Sequence, residues 1–215
     1  MVRGKFITLE GGEGAGKSTQ ARLLAEWLGT RGVQTVVTRE PGGTPLAESI
    51  RHLVLGTTDG PADALTEALL FNAARRDHAL RLIRPALDAG TWVICDRYAD
   101  STRAYQGAGG QLDGSILQRL EDWVTAEAKP DLTLILDLPE AVGLQRAAAR
   151  HAASPGGGGR DRFESADLSF HLRLRLMFAR IAHSEPQRCA LIDAQPTAEA
   201  VAEAVRNAVT QRLGP

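Results

Sequence analysis

The run Gly11-Gly12-Glu13-Gly14-Ala15-Gly16-Lys17-Ser18-Thr19 is a complete G-x-x-x-x-G-K-[ST] motif, and its residue types suit a polyphosphate. Its glycines let successive backbone N–H groups turn inward onto anionic oxygens at a helix N-terminus, where the dipole favours negative charge. Lys17, read as an exposed loop side chain, reaches the β- and γ-phosphates, and the Ser18 hydroxyl sits on Mg²⁺. A second constellation closes the apolar run Thr91–Asp96, which ends in an acid and is followed by Arg97. An acid at the end of the strand beside a phosphate loop orders Mg²⁺, directly or through water, and Arg97 offers a planar fork to a phosphate. Glu13 lies inside the loop itself. A carboxylate there is unfavourable beside phosphates unless a cation or hydroxyl partners it; the alternative is a loop acid facing solvent.

These residues need a scaffold that brings them to one edge. Lys5–Glu10 reads as a strand entering the phosphate loop and Ser18–Leu28 as an amphipathic helix leaving it, the context the motif requires. Further strands are predicted at Val33–Thr38, Thr91–Asp96, Leu132–Leu138 and Arg188–Ile192. Helices are predicted at Ser18–Arg31, Pro45–Leu55, Ala62–Ala89, Asp113–Ala128, Pro139–Arg150, Ser165–Ser184 and Thr197–Arg212. Nearly uniform apolar strands alternating with helices mean an α/β protein with a parallel sheet covered on both faces. Right-handed crossovers then put the ligand beyond the carboxyl ends of the strands, where every residue named above falls.

At 215 residues the chain is long enough for one substantial domain. Lys plus Arg number 25 against 26 Asp plus Glu, so the charge balance gives no case for binding nucleic acid or a membrane surface. No apolar run approaches bilayer-spanning length and Met1–Gly4 leads straight into the first strand, so neither a signal peptide nor a transmembrane helix is expected. Cys95 and Cys189 lie in apolar strand-like runs and read as buried free thiols, which fits a cytoplasmic protein. His151–Gly159, with its four consecutive glycines, cannot hold regular structure. Too little chain follows it to build a second core, so it reads as a mobile lid at about 146–164 within one domain over 1–215, rather than a linker between domains.

Several stretches together resemble a known family. Asp96-Arg97-Tyr98-Ala99-Asp100-Ser101-Thr102-Arg103-Ala104-Tyr105-Gln106-Gly107 is similar to the signature of thymidylate kinases, which phosphorylate dTMP to dTDP. Thr38-Arg39-Glu40-Pro41-Gly42-Gly43-Thr44 resembles the loop after their second strand, and Leu70-Phe71-Asn72-Ala73-Ala74-Arg75 their base-binding helix. Asp161-Arg162-Phe163-Glu164 resembles the end of their lid. With the phosphate loop, these matches run in the family's order over nearly the whole chain. The resemblance implies a three-layer P-loop nucleoside monophosphate kinase fold with a five-stranded parallel sheet ordered 2-3-1-4-5. It also implies direct in-line transfer from Mg²⁺-bound ATP to dTMP, and a homodimer packed through helices on the sheet face away from the lid.

The same resemblance assigns an acceptor site of Glu40, Arg51, Phe71, Arg75, Arg97, Ser101, Thr102, Tyr105 and Gln106. Phe71 would stack on thymine and Arg75 would donate to O4, rejecting cytosine, which presents an amino group there. Without the family, Phe71 on an apolar helix face reads as a core residue, as most such aromatics are. Arg97 and Arg51 would hold the dTMP phosphate, Thr102 and Gln106 the base edge, and Tyr105 would lie against the sugar and disfavour a 2′-hydroxyl. A solvated helix face is the alternative for Arg51 and Gln106, and a helix cap for Ser101. Glu13 would face the acceptor 3′-hydroxyl or a metal-linked water. Gln195, in the loop after the last strand, would hold adenine, although a plain strand–helix turn capped by Thr197 explains the same residues.

One departure bears on catalysis. A branch of the family carries an arginine in the phosphate loop just after the acid; Gly14 stands there in this chain. Positive charge for the travelling phosphoryl must then come from the lid, as in the bacterial branch, where Arg146, Arg150, Arg160 and Arg162 are available and Arg150 and Arg160 are favoured. The rival readings are a kinase for another nucleotide or nucleoside, and a P-loop ATPase or switch protein. The latter has no need of an acceptor site.

Overall fold

The computed structural model describes residues 2–56, 62–153 and 163–214. The elements in chain order are β1 (Phe6–Gly11), α1 (Lys17–Thr30), β2 (Thr35–Arg39), α2 (Pro45–Leu55), α3 (Ala64–His78), α4 (Arg84–Asp88), β3 (Trp92–Asp96), α5 (Ala99–Thr102), α6 (Gly114–Thr125), β4 (Leu132–Asp137), α7 (Glu140–Ala153), α8 (Leu168–Ser184), β5 (Cys189–Asp193) and α9 (Ala198–Leu213). Among the described residues the strands form one parallel five-stranded sheet ordered β2-β3-β1-β4-β5, the order expected.

The apolar strands are buried because helices cover both faces. On one side α1 and α9 seal Ile7, Leu9, Ile94, Leu134 and Ile192. On the other, α4 packs over Phe6 and Val93, and α8 packs over Ile135. Register sets the functional edge: Leu9 of β1 pairs with Asp96 of β3 on one side and Leu134 of β4 on the other, and Arg39 of β2 is also level with Asp96. The ends of β1, β2 and β3 therefore deliver the phosphate loop, Glu40 and Arg97 to one rim.

Two helical regions differ from expectation. The single helix expected over Ala62–Ala89 is α3 and α4 joined by a wide π turn at Ala79–Ile83. Pro85 has no N–H and its ring would meet the carbonyl four residues back, and a widened turn just before it relieves that conflict. Ala99–Gly109, for which no element is expected, is helical: α5 runs into a second π segment, Arg103–Gly109.

Candidate functional site

The phosphate loop folds as its glycines require, and α7 rests on it. Gly14 has φ +67°, and a Cβ there would stand 2.0 Å from the carbonyl oxygen of Gly143 in α7. Reciprocally, a Cβ on Gly143 would stand 2.3 Å from the Glu13 carbonyl oxygen. Neither position admits a side chain, so the absence of an arginine at 14 is a packing requirement here. Gly14→Ala is expected to destabilise the protein by roughly 1–3 kcal/mol, from left-handed strain and overpacking. That is a fall of about 2–12 °C in Tm for a chain of this size. An unchanged Tm would mean that loop and helix can separate freely.

Lys17 corrects an expectation, for it is buried, with only 7% of its surface exposed. Its ammonium turns inward and donates to the carbonyls of Gly11 (3.1 Å) and Gly12 (2.8 Å). Burial is the main reason its pKa falls to about 8; Arg97 adds to the fall, and Glu13, Asp96 and Glu10 oppose it. The Ser18 hydroxyl donates to the Asp96 carboxylate, so two hard oxygen donors from α1 and β3 meet at the strand ends. Among the described residues no cluster of three or more His, Cys, Asp or Glu side chains could hold an ion. A sparse oxygen set suits Mg²⁺, which keeps waters and takes phosphate oxygens as partners.

Arg97 follows β3 with φ +70°, a left-handed conformation costly for a residue with a Cβ. That turn sends its guanidinium back to the loop, where it donates to Glu13 (2.7 Å), the Gly11 carbonyl (3.2 Å) and Ser101 (3.3 Å). Tyr105 donates to the same Glu13 oxygen at 2.5 Å, with the Arg97 guanidinium 4.8 Å from its ring centre. Glu13 is thus a doubly partnered acid, its side chain 12% exposed, rather than one facing solvent. Burial alone would push its pKa up, but Arg97, Lys17, the Tyr105 hydroxyl and His171 together hold it at about 2. Ser101 is not a helix cap: it lies inside α5 and its hydroxyl donates to Glu10 at 2.6 Å.

The base end of the site is a buried polar network. Arg75, 3% exposed, donates Nε to Glu40 (2.7 Å), one Nη to Asn72 (3.1 Å), and the other Nη to the Tyr98 carbonyl (3.0 Å) and Thr102 (3.1 Å). Four of a guanidinium's five N–H donors are engaged, leaving one on the Asn72-facing nitrogen. Glu40 is shared with His78, whose Nδ1 lies 3.0 Å from it and whose Nε2 lies 2.8 Å from the Thr38 hydroxyl. Gln106 is buried and donates to Glu67 at 3.0 Å, so it is not a solvated face. Arg51 donates to the Pro41 carbonyl at 2.9 Å. Phe71 is half-buried and stands outside the core clusters of both sheet faces.

A cavity of about 660 Å³ joins these parts. Its wall carries Glu13, Lys17 and Ser18 from the loop region, Asp96 and Arg97 from the end of β3, and Glu40, Arg51, Phe71, Arg75, Ser101, Thr102, Tyr105 and Gln106 from the acceptor set. Gly14, Gly16, Thr19 and Arg150 also line it. The volume is that of a small-molecule site. Gly11, Gly12 and Ala15 form the loop behind this wall, and exposed Gln195 does not line the cavity. The Gln195 and Ala194 carbonyls accept from Arg146 at 2.9 Å each, which holds the loop after β5 against α7 and takes Arg146 away from the cavity. Arg150 donates to Glu164 at 2.8 Å, and His151 Nε2 lies 2.6 Å from the other Glu164 oxygen. Arg160, Arg162 and the glycine run lie outside the described residues. Sequence reasoning missed Glu10 and His78, which brace the site, and His52, Leu55 and His151, which line the cavity.

The family model for thymidylate kinase matches residues 9–205. The thymidylate kinase of Bradyrhizobium sp. (strain ORS 278) is 54% identical over 211 residues, covering 98% of this chain and 92% of its own length. That of Caulobacter vibrioides (strain ATCC 19089 / CIP 103742 / CB 15) is 54% identical over 214 residues and covers both chains fully. Among solved structures, the thymidylate kinase from Ehrlichia chaffeensis superposes with a TM-score of 0.78 at 36% identity, covering 96% of this chain and 99% of that one.

Proposed function

This chain belongs to the thymidylate kinase family, and from that premise we propose the roles its residues play. The enzyme transfers the γ-phosphoryl group of ATP to dTMP, giving ADP and dTDP for dTTP synthesis. An acceptor phosphate oxygen attacks the γ-phosphorus, the bond to the β–γ bridging oxygen breaks, and ADP leaves with that electron pair. The attacking oxygen is already anionic, so positioning and charge stabilisation dominate.

The observation that carries the reading is a single cavity shared by the phosphate loop and by Phe71, Arg75 and Arg97. Loop N–H groups from Gly11 to Thr19 and the Lys17 ammonium hold the ATP phosphates. Lys17 leaves its carbonyl partners when phosphates arrive. Ser18 and Asp96 would hold Mg²⁺, which would neutralise charge on the ATP phosphates. Arg97, aided by Arg51, fixes the dTMP phosphate in line. Glu13 accepts from the 3′-hydroxyl, and Tyr105 packs at the sugar. Phe71 stacks on thymine, Thr102 and Gln106 border its edge, and Arg75 gives its remaining N–H to O4 while Glu40 holds it in place. Arg150, with Arg160 and Arg162, closes from a lid at about 146–164 within a single domain, and the Gln195 loop borders adenine.

Arg75→Ala tests the base assignment. Its loss should cost on the order of 1–3 kcal/mol in kcat/KM for dTMP and leave the KM for ATP nearly unchanged. Glu40 then keeps only His78, so Tm should fall as well. An equal loss for both substrates would make Arg75 a structural residue.

A homodimer working in the cytoplasm completes the proposal. Leu65 and Leu69 on α3 and Ile116 and Trp123 on α6 are exposed, Trp123 to 73%, on two helices packed against each other. An exposed Trp beside exposed aliphatic side chains favours a protein interface. Light scattering should return twice the 23.0 kDa chain mass; a monomer at micromolar concentration would refute this.

A further inference from the structure

Glu10 ends β1 immediately before the phosphate loop, is fully buried, and has no part in the transfer described above. A carboxylate in that position is costly unless donors surround it. Its donors all come from the far side of the sequence, on the segment that follows Arg97. Tyr98 N–H donates to it at 2.7 Å, Ser101 N–H at 3.3 Å and the Ser101 hydroxyl at 2.6 Å. Both N–H groups stand at the start of α5, the Ser101 N–H being shared with the Tyr98 carbonyl at 3.2 Å, and Tyr98, the N-cap residue, supplies no side-chain cap of its own. Glu10 is therefore the cap of a helix on another strand's continuation.

What lies between the capped groups and β3 is Arg97, held at φ +70°. Its own N–H donates to the Leu9 carbonyl at 2.9 Å, so Leu9 grips the turn on one side and Glu10 on the other. Such a left-handed conformation persists only where the surroundings over-determine it. Relaxing the turn would swing the guanidinium away from Gly11 and Glu13. Ser101 links the two groups directly, since its hydroxyl donates to Glu10 and lies 3.3 Å from the Arg97 guanidinium.

We propose that Glu10 is a positioning residue of the acceptor site, gripping Tyr98 and Ser101 so that the Arg97 turn stays in the conformation that aims its guanidinium at the dTMP phosphate. This rests on the reading that Arg97 holds that phosphate. A general structural role for Glu10 would weaken every ligand alike, whereas the positioning role is felt only by a ligand that carries the phosphate.

The experiment is calorimetric titration of the full chain with dTMP and with thymidine, which shares base and sugar but lacks the phosphate. Glu10→Gln removes the charge and leaves one accepting oxygen in place of two, so the Ser101 hydroxyl loses its acceptor, and dTMP should bind about tenfold more weakly, the loss expected for one misdirected charge-assisted contact, while thymidine stays within about twofold. Arg97→Ala should show a larger loss of the same kind, and the double variant should bind dTMP no more weakly than Arg97→Ala alone, the signature of coupled residues. Equal loss of both ligands, or full additivity in the double variant, would overturn the proposal. If Arg97→Ala leaves the dTMP-to-thymidine ratio unchanged, the phosphate role of Arg97 fails; if it lowers the ratio and Glu10→Gln does not, the role of Glu10 alone fails. A thermal melt accompanies each titration. Should Glu10→Gln not fold, Glu10→Asp, which keeps the charge but withdraws it by one methylene, takes its place with the same two outcomes.

Discussion

Lys17→Ala is expected to lower kcat by about 10³-fold, because phosphoryl transfer depends on fixed positive charge at the β- and γ-phosphates and this is the loop's own cation. The fold should survive. Removing the side chain leaves the Gly11 carbonyl with its Arg97 donor and frees the Gly12 carbonyl beside space that opens onto the cavity Lys17 lines. A Tm within a few degrees of the parent, together with the lost turnover, would separate catalysis from stability. Near-normal kcat in the purified variant would mean that Lys17 does not meet phosphate, and the reading of the loop would fail with it.

The second large effect is expected at Arg150. With Gly14 pressed against Gly143, the phosphate loop cannot carry an arginine, so the charge that develops on the travelling phosphoryl must be met from outside. Arg146 is committed to the Ala194 and Gln195 carbonyls, while Arg150 lines the cavity, its side chain 59% exposed and held by Glu164. Arg150→Ala should lower kcat by about 10²-fold and change ATP affinity little, the pattern of an interaction made only in the transition state. Single Ala variants at Arg160 and Arg162, assayed beside it at saturating ATP and dTMP, complete the set. If all three retain most of their kcat, the charge is supplied by Lys17, Arg97 and Mg²⁺ alone.

What was legible in the sequence followed from local signals. The phosphate loop announces itself by residue type and spacing, and uniform apolar strands between helices led to the parallel sheet. Strand order and the acceptor residues came from resemblance. The α5 region was not legible because Ala99–Gly109 has no apolar stripe at helical spacing and contains Gly107 and Gly109; its helical form depends on a cap supplied by Glu10, 88 residues before Tyr98. His78 was hidden for the same reason, since its partners Glu40 and Thr38 lie 38 and 40 residues away. Lys17 is buried against expectation because loop position predicts access to solvent, whereas the Gly11 and Gly12 carbonyls draw the side chain inward.

The most direct test of the acceptor site is ADP release measured with saturating ATP and Mg²⁺ against dTMP, dUMP, dCMP, dAMP and dGMP in turn. The expected result is fastest release with dTMP and, with dCMP, a rate close to that without acceptor, because the cytosine amino group would set donor against the remaining Arg75 N–H. Release at the same rate with no acceptor present, or a preference for dCMP or a purine nucleotide over dTMP, would contradict the account.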